Sequence, residues 1–119
     1  LPAFPFMDQL TLELALEGVT ALRLGEGSST DLLAVSLSTT DAIGHQYGPD
    51  SREVHDHVLR LDRYLGAFLD SLFRLRDPAR VLIAFTSDHG VAPNADLHFA
   101  SEPGAARRVS LDSLVRRTW

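Results

Sequence analysis

One stretch of this chain leaves little choice of structure. Val54, Val58, Leu61, Leu65, Phe68, Leu72 and Leu75 recur in alternating steps of four and three. That spacing keeps side chains on one side of an α-helix of about six turns. Asp50 and Glu53 stand three apart at its start, as in a capping box with Asp as the cap. Asp77-Pro78 ends it. A nearly continuous apolar run lies on either side of this helix, at residues 32–37 and 81–86. Runs of that kind suit strands buried on both faces. Strand, long helix, strand is a βαβ unit with a right-handed crossover. The sequence therefore predicts an α/β chain: part of a parallel sheet with flanking helices around a βαβ core.

The rest of the chain fits around that unit. Pro2 and Pro5 predict an extended start. Residues 8–24 read as a helix in which Leu10, Leu14, Glu17 and Ala21 follow the turns, Leu12, Leu16 and Val19 widen the apolar face, and Gly25 is the stop. Residues 19–24 also admit a short strand. Residues 26–31, 38–50 and 90–104 read as loops, the second carrying Gly44, Gly48 and Pro49. Residues 110–119 read as a short helix capped by Ser110. At 119 residues, 45% of them apolar, the chain has material for one modest domain.

The chemistry is expected where the two runs end. In an open parallel sheet, ligands bind beyond the carboxyl ends of the strands. Asp41 and His45 follow the first run, and Asp88 and His89 follow the second. Carboxylate and imidazole are zinc ligands, binding at about 2.0–2.2 Å. Asp41 and His45 reach one ion if residues 42–44 form a turn, with Gly44 permitting unusual backbone angles. Asp88 and His89 converge if Gly90 bends the chain after the strand. The two pairs either share an ion or each form half of a two-metal site. Either pair taken alone reads more simply as a surface pair or a helix cap.

Other classes are excluded or disfavoured. The absence of Cys rules out thiolate zinc sites, Cys nucleophiles and disulfides. Eleven cations, all Arg, stand against sixteen anions, a balance that disfavours a nucleic-acid or anionic-membrane surface. No apolar run approaches the roughly 18 residues of a spanning helix. The opening Leu1-Pro2-Ala3, with no Met and no basic start, predicts no signal peptide and fits an excised piece of something longer.

The chain resembles the alkaline phosphatase superfamily, in particular its type I phosphodiesterase/nucleotide pyrophosphatase branch. Ser38-Thr39-Thr40-Asp41-Ala42-Ile43-Gly44-His45-Gln46-Tyr47-Gly48-Pro49-Asp50-Ser51 is similar to that branch's S-x-x-D-x-x-G-H-x-x-G-P-x-S signature, and Thr86-Ser87-Asp88-His89-Gly90 to its T-x-D-H-G signature. Asp62, in an L-D-x-x-L pattern on the long helix, fits too. The resemblance implies two zinc ions, with Asp41 and His45 ligands of one and Asp88 and His89 ligands of the other. It implies a Ser or Thr nucleophile, a covalent phospho-enzyme and a small phosphate ester as substrate: a diester or nucleotide pyrophosphate, or a monoester. It also suggests a place outside the cytoplasm.

The family's N-terminal half supplies a further metal Asp and the nucleophile, and no segment before Asp41 carries that pattern. Asp8, Thr11 and Thr20 fall inside the first predicted helix. A third metal His belongs far downstream, and His98 follows Asp88 too closely. Residues 1–119 thus read as a single partial domain, the middle-to-late part of such a catalytic domain without its nucleophile. In isolation it is expected to be inactive. The alternative is a truncated or degenerate domain that binds metal weakly or serves only as an association surface.

The remaining polar residues have plainer readings. His55 and His57 are two apart and do not share a helix face, so exposure or packing is expected of both. The same holds for Asp62. Tyr47 reads as a rim residue, Ser38, Thr39 and Thr40 as loop hydrogen-bonders, and Arg107, Arg108, Arg116 and Arg117 as a solvated basic tail.

Overall fold

The apolar stripe folds as its spacing requires. The computed structural model describes residues 4–93, with three α-helices: α1 at Met7–Ala21, α2 at Thr39–Tyr47 and α3 at Arg52–Leu75. A 3₁₀ turn follows at Pro78–Arg80. Both α1 and α2 pack on α3. The cap of α3 is Ser51 and not Asp50: the Ser51 hydroxyl accepts from the Val54 amide at 3.2 Å. The shift by one residue follows from a turn in which the Ser51 amide donates to the Gly48 carbonyl, leaving Asp50 outside the helix. The buried edge of α3 departs from the stripe at Val58 and at its last residue, Leu75, which is 41% exposed. Val58 is 47% exposed, and His57, at 1%, takes the inward position.

α1 turns a different face inward from the one its leucines suggest. Asp8, Leu12 and Val19 are buried, whereas Leu10 and Leu14 are exposed. Residues four and eleven positions after a given one share its side of a helix, and packing on α3 selects that side. The helix ends before Gly25. The Leu24 amide bonds to the Val19 carbonyl and the Arg23 amide to the Thr20 carbonyl, the double bond of a Schellman ending. Arg23 occupies the left-handed position at φ 55°, where glycine is usual. Arg76, just past α3, donates to the carbonyls of Val19 and Leu24 and to Glu26. A guanidinium there meets the negative end of the α1 dipole and ties the ends of α1 and α3 together.

Two further expectations fail. Residues 38–50, read as a loop from their glycines and proline, instead contain α2. Ile43 anchors that helix, being 4% exposed. Gly44 is helical and not at a special angle. The positive φ belongs to Gly48, at 88°, where the helix stops.

The larger correction concerns the sheet. Among the described residues there is no strand, and so no parallel sheet and no βαβ core. The described architecture is helical. Residues 32–37 and 81–86 carry the composition of buried strands, yet Leu32 is 90% exposed and Leu82 96%. A helix closes its hydrogen bonds within its own segment. A strand exists only through a neighbour that pairs with it. Composition announces the helix on its own and announces the strand only conditionally.

Candidate functional site

Helical geometry on α2 brings the first pair together. Asp41 and His45 stand one turn apart, a spacing at which side chains meet. His45 Nε2 lies 3.3 Å from Asp41 Oδ1. From the other end of the described chain, His89 Nε2 comes within 3.6 Å of the same oxygen. Asp88 stands further out: its Oδ2 is 3.7 Å from His89 Nε2, and its side chain is 88% exposed. The structure thus gathers Asp41, His45 and His89 at one oxygen, with Asp88 beside His89 on the solvent side.

His89 is held in a defined state. Its Nδ1 lies 2.9 Å from the Gly90 carbonyl. A carbonyl only accepts, so Nδ1 carries a proton, and in the neutral ring Nε2 keeps the lone pair. The same carbonyl, then the carboxylate of Asp88 and that of Asp41, raise the imidazole pKa above its ordinary value. The Asp88 carboxylate also accepts from the His89 amide at 3.0 Å, which fixes the turn at Asp88-His89.

Asp41 Oδ1 supplies the test of whether a cation fits. It is buried and has no hydrogen-bond donor. A carboxylate oxygen withdrawn from water without a donor is unfavourable, although the Asp41 side chain as a whole is 47% exposed. One carboxylate oxygen flanked by two imidazole nitrogens is a donor set that zinc accepts. In donor chemistry the residues suit a divalent cation. As they stand, no group of three or more His, Asp or Glu side chains among the described residues encloses an ion position.

A second polar group lies deeper, and the sequence reading passed over it. Asp8, Thr39 and His57 are each no more than 2% exposed. Asp8 Oδ1 accepts from the Thr39 hydroxyl at 2.7 Å and from the Thr39 amide at 3.4 Å. His57 Nε2 lies 3.3 Å from Asp8 Oδ2 and 3.1 Å from Thr40 Oγ1. A signal existed in the sequence: Asp8 is four residues before Leu12 on the inward face of α1, and His57 falls between Val54 and Leu61 in the stripe of α3.

Other candidates stay apart from both groups. His55 and Asp62 are exposed. Tyr47 is 39% exposed and its hydroxyl accepts from Gln46. The hydroxyls of Thr11 and Thr20 bond back to the carbonyls of Met7 and Leu16 within α1, so neither is presented as a nucleophile. His98, the helix expected at residues 110–119 and the arginines at 107, 108, 116 and 117 lie outside the described residues. No helix of the described residues is long and apolar enough to cross a membrane.

Comparison with known proteins adds a second line. The family described as type I phosphodiesterase / nucleotide pyrophosphatase matches residues 5–115. Alkaline phosphatase PhoV of Synechococcus elongatus is 42% identical over 117 residues, covering 95% of this chain and 21% of the relative. Alkaline phosphatase PafA of Elizabethkingia meningoseptica is 40% identical over 88 residues, 74% of this chain and 16% of the relative. Ectonucleotide pyrophosphatase/phosphodiesterase family member 7 of Homo sapiens is 36% identical over 61 residues, 51% of this chain and 13% of the relative. The chain spans about a fifth of the length of the first of these. No solved structure matches it.

Proposed function

The chain belongs to the type I phosphodiesterase / nucleotide pyrophosphatase family, within the alkaline phosphatase superfamily, and from that premise we propose that it is part of a zinc-dependent enzyme that hydrolyses phosphate esters. Its relatives carry the names of alkaline phosphatases and of nucleotide pyrophosphatase/phosphodiesterases. In this reading residues 1–119 are the middle-to-late part of the catalytic domain, and the Ser or Thr nucleophile comes from outside them. The substrate is a small phosphate ester, either a monoester or a diester or nucleotide pyrophosphate.

The residues of this chain have distinct tasks. Asp41 and His45 hold one zinc ion, and Asp88 and His89 the other. Asp41 offers the buried oxygen that lacks a donor. His89 offers Nε2, whose lone pair is left free because Nδ1 is engaged by the Gly90 carbonyl; a ring nitrogen so engaged also makes its partner a better ligand. Asp88, exposed, contributes charge at the open side. Zinc, when bound, polarises the phosphoryl oxygens and lowers the pKa of the attacking hydroxyl. The observation that carries the proposal is the meeting of two imidazole nitrogens with one unsatisfied carboxylate oxygen, within 3.6 Å.

The test is calorimetric zinc titration of the full-length protein and of its His45→Ala, His89→Ala double variant, with turnover of p-nitrophenyl phosphate and bis-p-nitrophenyl phosphate measured in parallel. Zinc binding and turnover lost together in the double variant are the expected result. Wild-type zinc affinity in that variant would refute the ligand assignment. The ratio of the two turnover rates separates monoesterase from diesterase.

A further inference from the structure

The buried group formed by Asp8, Thr39, Thr40 and His57 has no place in the chemistry above. It is not a second nucleophile system. In a hydroxyl–imidazole–carboxylate relay the two partners sit on different ring nitrogens. Here the same nitrogen, His57 Nε2, faces both Thr40 Oγ1 and Asp8 Oδ2, and His57 Nδ1 is buried without a partner. The group must be understood through what it holds.

What it holds is the start of α2. The residue at the N-cap, Ser38, makes no side-chain cap bond. The first amides of a helix have no partner within it, and α2 is only nine residues long, too short to be stable by itself. Asp8 supplies the missing acceptor from α1, 31 residues away in sequence. Its Oδ1 takes both the hydroxyl and the amide of Thr39, the first residue of α2. A carboxylate at that end is also favoured by the helix dipole. His57 reaches the next residue, Thr40, from α3. Two helices thus grip the first two residues of α2, and Asp41 is the third.

We infer that Asp8 and His57 are positioning residues: a cap delivered from elsewhere in the chain, which fixes the first turn of α2 and with it the placement of Asp41 and His45. The inference rests on the metal-ligand reading for its consequence in zinc binding, but not for its structural content. The carboxylate of Asp8 acts through Thr39, and the ring of His57 through Thr40. Neither touches the zinc ligands.

The experiment is peptide-resolved amide hydrogen exchange on the full-length protein, without added metal, with zinc affinity measured alongside. The variants are Asp8→Ala, Asp8→Asn, Thr39→Val and His57→Leu, with His57→Gln as the conservative counterpart of the last. The peptide spanning α2 is expected to exchange about tenfold faster in Asp8→Ala, and several-fold faster in Thr39→Val and His57→Leu. The second half of α3 should stay at its wild-type rate. Asp8→Asn and His57→Gln should recover most of the protection. Zinc affinity should fall about 10- to 100-fold in Asp8→Ala, the range for partners that orient ligands. Wild-type exchange in α2, or equal acceleration in α2 and α3, overturns the inference. If Asp8→Ala does not fold, Thr39→Val decides by the same criterion. Absence of zinc binding by the wild type would remove the metal reading, while exchange in α2 still decides this one.

Discussion

Two carboxylate–imidazole pairs lie near the start of α2, built from the same side chains at similar separations. Asp8 and His57 are 3.3 Å apart, and Asp41 and His89 are 3.6 Å apart. Burial divides them. The first pair is sealed, with exposures of 2% and 1%. The second keeps roughly half its surface in solvent, 47% and 54%. A buried pair is fixed by its surroundings and serves geometry. A pair at the surface can exchange its proton, accept a ligand and reorient. What the contrast teaches is that residue identity and separation do not assign a role; access to solvent does.

The most severe way to break the comparison is Asp41→Ala in the full-length protein. It should lower kcat/KM for phosphate esters about 10³-fold or more, equivalent to about 4 kcal/mol of transition-state stabilisation, with little change in melting temperature. Steady-state kinetics and calorimetry check this together, and a folded variant with near-wild-type turnover would remove Asp41 from the site. Asp8→Ala should lower stability as well as zinc affinity. It leaves the Thr39 hydroxyl and amide without their acceptor and removes the carboxylate beside the buried His57 ring, a loss of about 3 kcal/mol in unfolding free energy, read by chemical denaturation. If Asp8→Ala were as stable as wild type, the sealed pair would not hold the fold.

A helical control belongs between these and the weakest effect. A Cβ at Gly66, in the middle of α3, would meet nothing within 4 Å. Gly66→Ala should stabilise by about 0.5–1 kcal/mol and leave both pairs unchanged, as judged by the denaturation midpoint and by zinc affinity.

The smallest effect is in the titration of His89. Its folded pKa is raised by the Gly90 carbonyl, then by Asp88 and by Asp41. A raised imidazole pKa contributes stability that is fully present below the unfolded value, near 6.5, and is lost as pH rises through the folded value. NMR titration of metal-free protein should find His89 titrating above 6.5, and Asp88→Asn should lower the midpoint. Added salt should lower it as well, because the pair is exposed and screened. A His89 midpoint at or below 6.5 would contradict the contacts described.

Legibility in the sequence followed the range of each interaction. The alternation of Val54, Leu61, Leu65 and Leu72 announced α3 because a helix is a local object. The end of α3 at Asp77-Pro78 was equally plain. Its cap was misplaced by one residue, since a turn at Gly48 and Ser51, not the side chains alone, decides where the helix begins. α2 was missed because Gly44, Gly48 and Pro49 looked like loop punctuation, and the carboxylate that caps it sits 31 residues upstream. The sheet was read from composition at residues 32–37 and 81–86, but pairing is a property of two segments and no ladder forms among the described residues. At the site, the Asp41–His45 spacing and the Asp88-His89 step were visible as motifs. That His89 would come within 3.6 Å of Asp41 while Asp88 stays exposed to solvent was not. Asp8 was read only as part of the first helix and His57 only as exposed or packed; their meeting was not foreseen, because a polar residue on an apolar face is read as an interruption until its partner on another helix is known.

The two apolar runs left open to solvent carry a consequence for anyone who produces this chain alone. Each is six residues long, without charge, proline or glycine, which is the composition that stacks into intermolecular β-structure. A single charged residue stands guard before each, Asp31 and Arg80. Expressed by itself, the 119-residue chain should collect in inclusion bodies, and the exposed side chains of Leu32, Leu82 and Phe85 are the first places to put a solubilising charge.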